Sequence, residues 1–592
     1  TPAVTHGATS NGAVAVIVGL AVVLRHLPSY FVFMTGDMGE YVNRANALAA
    51  GRGLLDSFPH GFTVFLATTA ELLGRSRTVA GVPALGVLLV LGVAAYARLA
   101  RLRTVAVLGV ALAAAVHPVA VWFSLFPVSE SLYATLLVAV LVLLATARAE
   151  GSARYAVTAG LAAGLLLVVR GNGLLLAPIV VVAALASAAA DPLPRFRVQR
   201  IFSVTALFAL AAAYAYDVQL INRYFVDMQF PLLLPGPVLR LVRTARLEHA
   251  TVSLALVTVL GVAAVVGLTH LVGRGIRPAL EGRSRVFWRV AAAVPVVVAL
   301  GIVVVMRHAG LFETLGRWQV ALLVLAAAGA VALVVRPDRE IDGLSAMVLL
   351  SVIATYAILF ARRYPAPRPH AYYLYFDRYL YSEVLPAALV LVAFALHLLA
   401  GARLRSGAPA ARTAVRVVAT GTLVVALLGL AWPVRETRRA TAARLFGDSY
   451  AALAGIDRLA TEAGAGPIVY SGYPGPGATP PGWFFPNTYR AFALPLVITF
   501  ERPVLDLPAD PFGRDPVLDP AAARAALREH GYRTGALVAV RSQTASGPAP
   551  SGPGLRLVGT VEYTAPVVSQ RKGGGEARFA LVPFRFDVYA LS

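Results

Sequence analysis

ESLYATLLVAVLVLLATA, residues 130–147, decides the fold. Between Glu130 and Ala147 it is apolar for the length of a membrane-crossing helix, and Arg148 closes it. A run of this length spans hydrocarbon as a helix, which satisfies every backbone group within the segment. Working outward, similar runs recur over the first 430 or so positions. About 13 spans are predicted: roughly 11–33, 78–97, 104–124, 130–147, 155–170, 173–190, 201–216, 251–272, 287–305, 318–335, 343–360, 382–400 and 413–432. The stretch 59–74 is apolar but short, and reads as a helix lying at the outer surface. The long alternating strands of an outer-membrane barrel are absent from the sequence pattern.

Composition points the same way. Of 592 residues, 58% are hydrophobic and only 14% charged, and mean hydropathy is +0.72. That excludes an ordinary soluble domain. There is no cysteine, so neither a disulfide nor a thiolate metal site is available. The net charge of +22 is carried almost wholly by arginine, with Lys572 a rare lysine. Such a bias fits a GC-rich genome such as an actinobacterium's. The arginines sit in short loops between apolar runs, which argues against nucleic acid as a partner. The run 11–33 lacks a small-residue cleavage site and is expected to stay as a helix.

The loops set an orientation. With the N-terminus inside, the inner loops hold Arg98, Arg101 and Arg103; Arg148 and Arg154; Arg195, Arg197 and Arg200; Arg274, Arg277, Arg283 and Arg285; Arg336 and Arg339; Arg403, Arg405 and Arg412. Every inner loop is basic, as the positive-inside rule expects. Counting 59–74 as a span would put Arg98–Arg103 outside. The outer face then receives Asp37, the loops 217–250, 306–317 and 361–381, and the whole C-terminal region. A bacterial plasma membrane protein with a cytoplasmic N-terminus is the expectation.

From about 433 onward polar residues, Gly and Pro rise and no span remains. Asp519-Pro520 followed by AAARAALREHG gives an N-cap, Pro at the first helical position and Gly531 at the end, which predicts a short helix. PIVYSG and ALVAV read as buried strands. A small α/β domain over 433–592 follows.

The chemistry-bearing residues lie on the outer side. Asp37-x-x-Glu40 is a capping box for a helix over Met38–Ala50, which accounts for both acids without chemistry. Loop 361–381, ARRYPAPRPHAYYLYFDRYLY, combines Arg362, Arg363, Arg368, His370 and Arg378 with Tyr372, Tyr373, Tyr375 and Tyr379. Outer arginines run against the inside bias, so either lipid headgroups or a ligand rewards them. Glu130 suits the positive end of a helix, and Arg44 is placed to pair with Glu40. His117, before Pro118 in an apolar run, reads as a buried hydrogen-bonded residue. No Asp-x-Asp and no His pair at ligand spacing is present, so no metal is called for. YPGPGATPPGW (473–483) is a loop with neither a P-loop nor a dinucleotide fingerprint.

GDMGEYVNRANALAAGRGLLDSFPHGFTVFLA, residues 36–67, resembles the first outer loop of the GT-C glycosyltransferases. The likeness is to the branch holding protein O-mannosyltransferases and bacterial lipid A aminoarabinose transferases. Its marks here are Asp37, Tyr41, Gly51 and Pro59-His60-Gly61-Phe62. HPVAVWFSLFPVSESLY (117–133), AGLAAGLLLVVRGNGLLLAP (159–178) and FDRYLYSEVLPAALVL (376–391) are similar to later corners of the same family. Many relatives carry Asp-Glu at the first acid; here Met38 follows Asp37.

The resemblance implies a polytopic α-helical membrane protein of about 13 transmembrane helices. Residues 1–432 would form a GT-C-like catalytic domain and 433–592 an extracytoplasmic α/β domain. It implies an inverting transfer of a monosaccharide, mannose or arabinose class, from a polyprenyl-phosphate donor to a glycan, glycolipid or protein acceptor. Asp37 would be the catalytic base, because the acceptor hydroxyl must lose a proton. Arg378 and Arg170, with Arg362, Arg363 and His370 behind them, would hold the leaving phosphate. Glu40, Tyr41, Glu130, Tyr372 and Tyr379 complete the expected substrate-binding set. No cofactor is implied beyond the lipid-linked donor. The alternatives are a transporter or flippase of a lipid-linked glycan, which would favour charges inside spans and two related halves, and a non-catalytic envelope assembly protein.

Overall fold

The 129–150 stretch is a single helix of 22 residues, about 33 Å long at 1.5 Å per residue, enough to cross a bilayer core. The computed structural model describes residues 2–25, 37–52, 59–125, 127–171, 193–220, 381–382, 384–401, 449–464, 466–471, 494–506, 520–542, 552–570 and 577–591, with isolated positions in 173–184, 263–271 and 326–329. The predicted spans between 251 and 360 and at 413–432, and the loop 361–381 up to Leu380, lie outside these residues but for such isolated positions.

The helical part runs α1 (Pro2–Arg25), α2 (Asp37–Ala49), α3 (His60–Leu73), α4 (Val82–Leu99), α5 (Thr104–Val116), α6 (Pro118–Phe123), α7 (Ser129–Glu150), α8 (Ala153–Val169), α9 (Leu193–Leu220) and α10 (Val384–Gly401). Among the described residues, Val82–Leu99, Ser129–Glu150 and Phe196–Tyr216 are long and apolar enough to cross a membrane, and the apolar helices in α1, α5, α8 and α10 are shorter. One apolar cluster runs through α1, α4, α5, α7, α8 and α10. Helix α3 has 14 residues, about 21 Å, too short for a span.

Three boundaries differ from the sequence reading. The predicted span 104–124 is broken at His117, whose φ of −60° and ψ of 121° are extended. Pro118 is the cause: it disfavours helical geometry in the residue before it and lacks an N–H to continue the ladder. Helix α9 begins at Leu193, so Arg197 and Arg200 ride on its first turns instead of filling a loop. Arginine is a good helix former, and its long stem keeps the charge at the end of the helix. Arg148 likewise is buried in the last turn of α7.

Gly160 and Gly164 explain how closely α8 and α9 pack. A Cβ on Gly164 would lie 2.3 Å from the Ala209 Cβ, and one on Gly160 2.8 Å from the Phe202 carbonyl oxygen. This small-xxx-small spacing lets the backbones of α8 and α9 approach. Gly164→Ala is therefore expected to overpack the pair and cost about 1–3 kcal/mol, read as a lower unfolding midpoint in detergent. An unchanged midpoint would mean that the pairing is looser than these contacts require.

The C-terminal part holds α11 (Ser449–Glu462), β1 (Ile468–Ser471), α12 (Leu494–Ile498), β2 (Val504–Asp506), α13 (Pro520–Glu529), β3 (Gly535–Ser542), β4 (Leu555–Gln570) and β5 (Ala577–Leu591). They form one sheet in the order β2-β1-β3-β5-β4. β1 pairs in parallel with β2 and β3, while β5 runs antiparallel to β3 and β4. Alternation fills both faces. Ile468, Ala536, Val538, Phe584 and Phe586 pack with Leu453 and Ile456 of α11, while Val469, Leu537, Ala539 and Tyr589 pack with Ala523 and Leu527 of α13. The predicted helix after Asp519 and the strands at PIVYSG and ALVAV stand where the sequence put them. The long β4–β5 hairpin was not foreseen.

Candidate active site

Successive helices of the bundle reverse direction, so the end of α1, the start of α4, the end of α5, the start of α7, the end of α8 and the start of α10 share one side. Several buried polar residues gather there. Arg25, the last residue of α1, is fully buried. Its Nη1 donates to the Ala115 carbonyl at 2.8 Å and its Nη2 to that of Ala114 at 3.1 Å. These carbonyls end α5 and have no partner within their own helix, so the guanidinium caps them. His117 and Tyr381, both fully buried, lie within electrostatic reach of Arg25. Tyr381 stacks on Phe123 at 6.1 Å between ring centroids, sits beside Ser131 and is also within reach of Glu130. The Ser131 hydroxyl donates to the Phe123 carbonyl at 2.8 Å.

Glu130 and Arg170 meet in this region. Glu130 stands in the first turn of α7 and Arg170 is the residue that ends α8. Their side chains form an ion pair, with the Glu130 side chain 3% and that of Arg170 12% exposed. Ser129 also donates to Glu130 Oε2 at 3.4 Å. Burial makes such pairing valuable to each partner, since a charge taken out of water needs opposite charge or hydrogen bonds in its place.

The 36–67 loop is seated on the same side. Gly61, near the start of α3, approaches the end of α8 so closely that a Cβ would lie 3.0 Å from the Val168 carbonyl oxygen. His60 Nδ1 and the Tyr216 hydroxyl are 3.0 Å apart, which ties α3 to the end of α9. Tyr41 on α2 is buried edge-on against Phe62 of α3, with ring centroids 5.1 Å apart. Thus the Pro-His-Gly-Phe segment fastens α2 to the bundle one step from Arg170.

Helix α2 begins at Asp37, within a residue of the predicted start, and Glu40 lies in its first turn. The side chains of Asp37 and Glu40 are outside the described residues, as are Arg362, Arg363, His370, Tyr372, Arg378 and Tyr379 altogether. The structure therefore joins Glu130, Arg170 and, through α3, Tyr41. Sequence reasoning missed Arg25 and Tyr381. A signal for Arg25 was present: an arginine inside the apolar run 11–33 is costly in lipid unless it has a role. Among the described residues no three His, Asp or Glu side chains are grouped as metal ligands.

The opposite side of the bundle is basic. Arg98, Arg101, Arg103, Arg154, Arg197 and Arg200 are exposed there, at the far ends of α4, α5, α8 and α9.

No known family model matches the chain, and no curated protein matches it. Among solved structures it is similar to the oligosaccharyltransferase AglB from Archaeoglobus fulgidus, in complex with an inhibitory peptide and a dolichol-phosphate. The identity is 14% and the TM-score 0.48, over 89% of this chain and 69% of that one. It is also similar to ArnT from Cupriavidus metallidurans bound to undecaprenyl phosphate, at 13% identity and a TM-score of 0.35, over 99% of this chain and 98% of that one. Both are GT-C superfamily members, the superfamily that the 36–67 loop resembles. At such identities and TM-scores, no residue, substrate or reaction is carried across.

Proposed function

We propose that this chain is a membrane glycosyltransferase of GT-C type. It moves a monosaccharide of the mannose or arabinose class from a polyprenyl-phosphate donor to an extracytoplasmic acceptor, with inversion. The observation that carries this reading is the separation of charge along the bundle. Buried Arg25, His117, Glu130 and Tyr381, with the mostly buried Arg170, gather at the end that seats α2, while six exposed arginines and the buried Arg148 lie at the other. The positive-inside rule assigns the arginine-rich end to the cytoplasm, which puts the polar end and the C-terminal sheet outside. A transporter would instead favour charges along the length of its spans.

In this reading Asp37 takes the proton of the acceptor hydroxyl as its oxygen attacks the anomeric carbon. The bond from that carbon to the phosphate oxygen breaks, and the polyprenyl phosphate leaves with its electron pair. Arg170, fixed by Glu130, and Arg378 stabilise the growing charge on that phosphate. Glycan, glycolipid and protein hydroxyls are all acceptors of the right chemistry, and membrane lipids surround the donor's tail. The direct test is transfer by the purified chain from a panel of polyprenyl-phosphate mannose and arabinose donors. Absence of transfer from every donor, in protein that is folded and binds them, would overturn the reading. In the same assay Arg378→Ala is expected to weaken donor use by about 1.5–3 kcal/mol, the worth of a charge-assisted contact. Unchanged donor kinetics would leave Arg378 as a headgroup-facing residue.

A further inference from the structure

We propose that residues 494–502 of the sheet-bearing part are a positioning element that locks the helix beginning at Asp37. The segment is α12 with the turn that follows it, and it packs on α2. Two observations carry the proposal independently of what the enzyme transfers.

The first is a buried polar relay. Asn46 on α2 is fully buried. Its Oδ1 accepts from the Thr78 hydroxyl at 2.5 Å, and its Nδ2 donates to the Thr499 hydroxyl at 3.4 Å. Thr78 and Thr499 are themselves buried. A buried amide must find partners or lose the free energy of its hydration. Thr499, 453 residues away in the chain, is the partner for its donor side. Lifting the segment away would therefore strand Asn46.

The second is a pair of arginines that cap α12. Short helices end in carbonyls without intrahelical donors. Arg52, just past α2, donates Nη1 to the Val497 carbonyl at 3.3 Å, and its Nε lies 3.5 Å from Glu501 Oε1. Arg75, just past α3, donates Nη1 to the Thr499 carbonyl at 3.3 Å. Glu501 holds a left-handed φ of 59°, a conformation a non-glycine residue keeps only when its surroundings impose it.

The turn is equally tied to its own sheet. Arg502 donates Nε to Asp457 Oδ1 at 2.6 Å and Nη1 to the Gly466 carbonyl at 3.3 Å. Leu496 is fully buried in the core shared by α11 and the sheet. The segment thus bonds to both bodies at once, and the sheet fixes α2 in place. Thr499, Arg52 and Arg75 are positioning residues: they act through α2 and need not touch substrate.

The test is amide hydrogen exchange on the full-length chain, with Thr499→Val and Arg52→Ala/Arg75→Ala as separate variants. Exchange over residues 41–49 should rise about 10-fold or more in each, while residues 535–542 of β3 keep their protection, because local opening is separable from global unfolding. Unchanged exchange at 41–49 in both variants overturns the proposal. Equal acceleration at 535–542 also overturns it, since the turn would then serve folding alone. The catalytic consequence rests on the transferase reading: kcat should fall about 10- to 100-fold with the donor KM within about twofold, as for a slightly misplaced catalytic group. A chain in which exchange responds but wild type transfers no sugar keeps the positioning element and loses the transferase reading.

Discussion

Asp37→Asn is expected to fold and insert normally, bind the lipid-linked donor, and transfer sugar about 10²- to 10⁴-fold more slowly, the usual loss when a general base is removed. Helix α2 starts at this residue, and asparagine caps a helix about as well as aspartate does. The substitution therefore spares the helix and removes only the ability to take a proton. Helix α2 is further held by the Tyr41–Phe62 contact and by Asn46, neither of which needs the Asp37 charge. The comparison that decides is with Asp37→Ala, which removes cap and base together. Should Asp37→Asn keep near-normal transfer while Asp37→Ala loses stability, Asp37 is a cap, and Glu40 becomes the next base to test.

Glu130→Gln should lower stability by about 3–5 kcal/mol, because it removes the carboxylate from an ion pair with the mostly buried Arg170 guanidinium. The penalty comes from the buried cation losing this carboxylate more than from any net attraction within the pair, whose desolvation offsets much of that attraction. The double variant Glu130→Leu/Arg170→Met should consequently recover most of the loss. If Arg170 also holds the donor phosphate, the double variant should be stable and still transfer poorly. Unfolding midpoints in detergent separate the cases. A single variant within about 1 kcal/mol of wild type would show that the pair is wetter than its burial indicates.

Much of the local structure was legible in the sequence, wherever one segment carries its own instructions. The apolar length of 130–147 reports a helix because the bilayer fixes the number of residues needed. Asp37-x-x-Glu40 and Asp519-Pro520 mark helix starts because their neighbours' N–H groups need side-chain acceptors or a proline. PIVYSG and ALVAV read as strands because a run of apolar residues that short, bounded by turn residues, suits a strand buried on both faces. The β4–β5 hairpin escaped because Gly559 and Pro566 interrupt β4's pattern. Pairing with β5 carries the strand through both interruptions.

By itself, then, the sequence determined that this is a helical membrane chain with basic loops on one side, an acid at the head of α2, and strands and a helix beyond residue 433. Only the tertiary structure decided which polar residues meet. Glu130 finds Arg170 because α7 and α8 run antiparallel side by side. Arg25 finds the end of α5 across 90 residues, and Thr499 finds Asn46 across 453. Spacing and composition report what a segment can do with its own neighbours and its solvent. The partner of a buried charge or amide is fixed by packing, which brings distant parts of the chain together and leaves those groups no water to turn to.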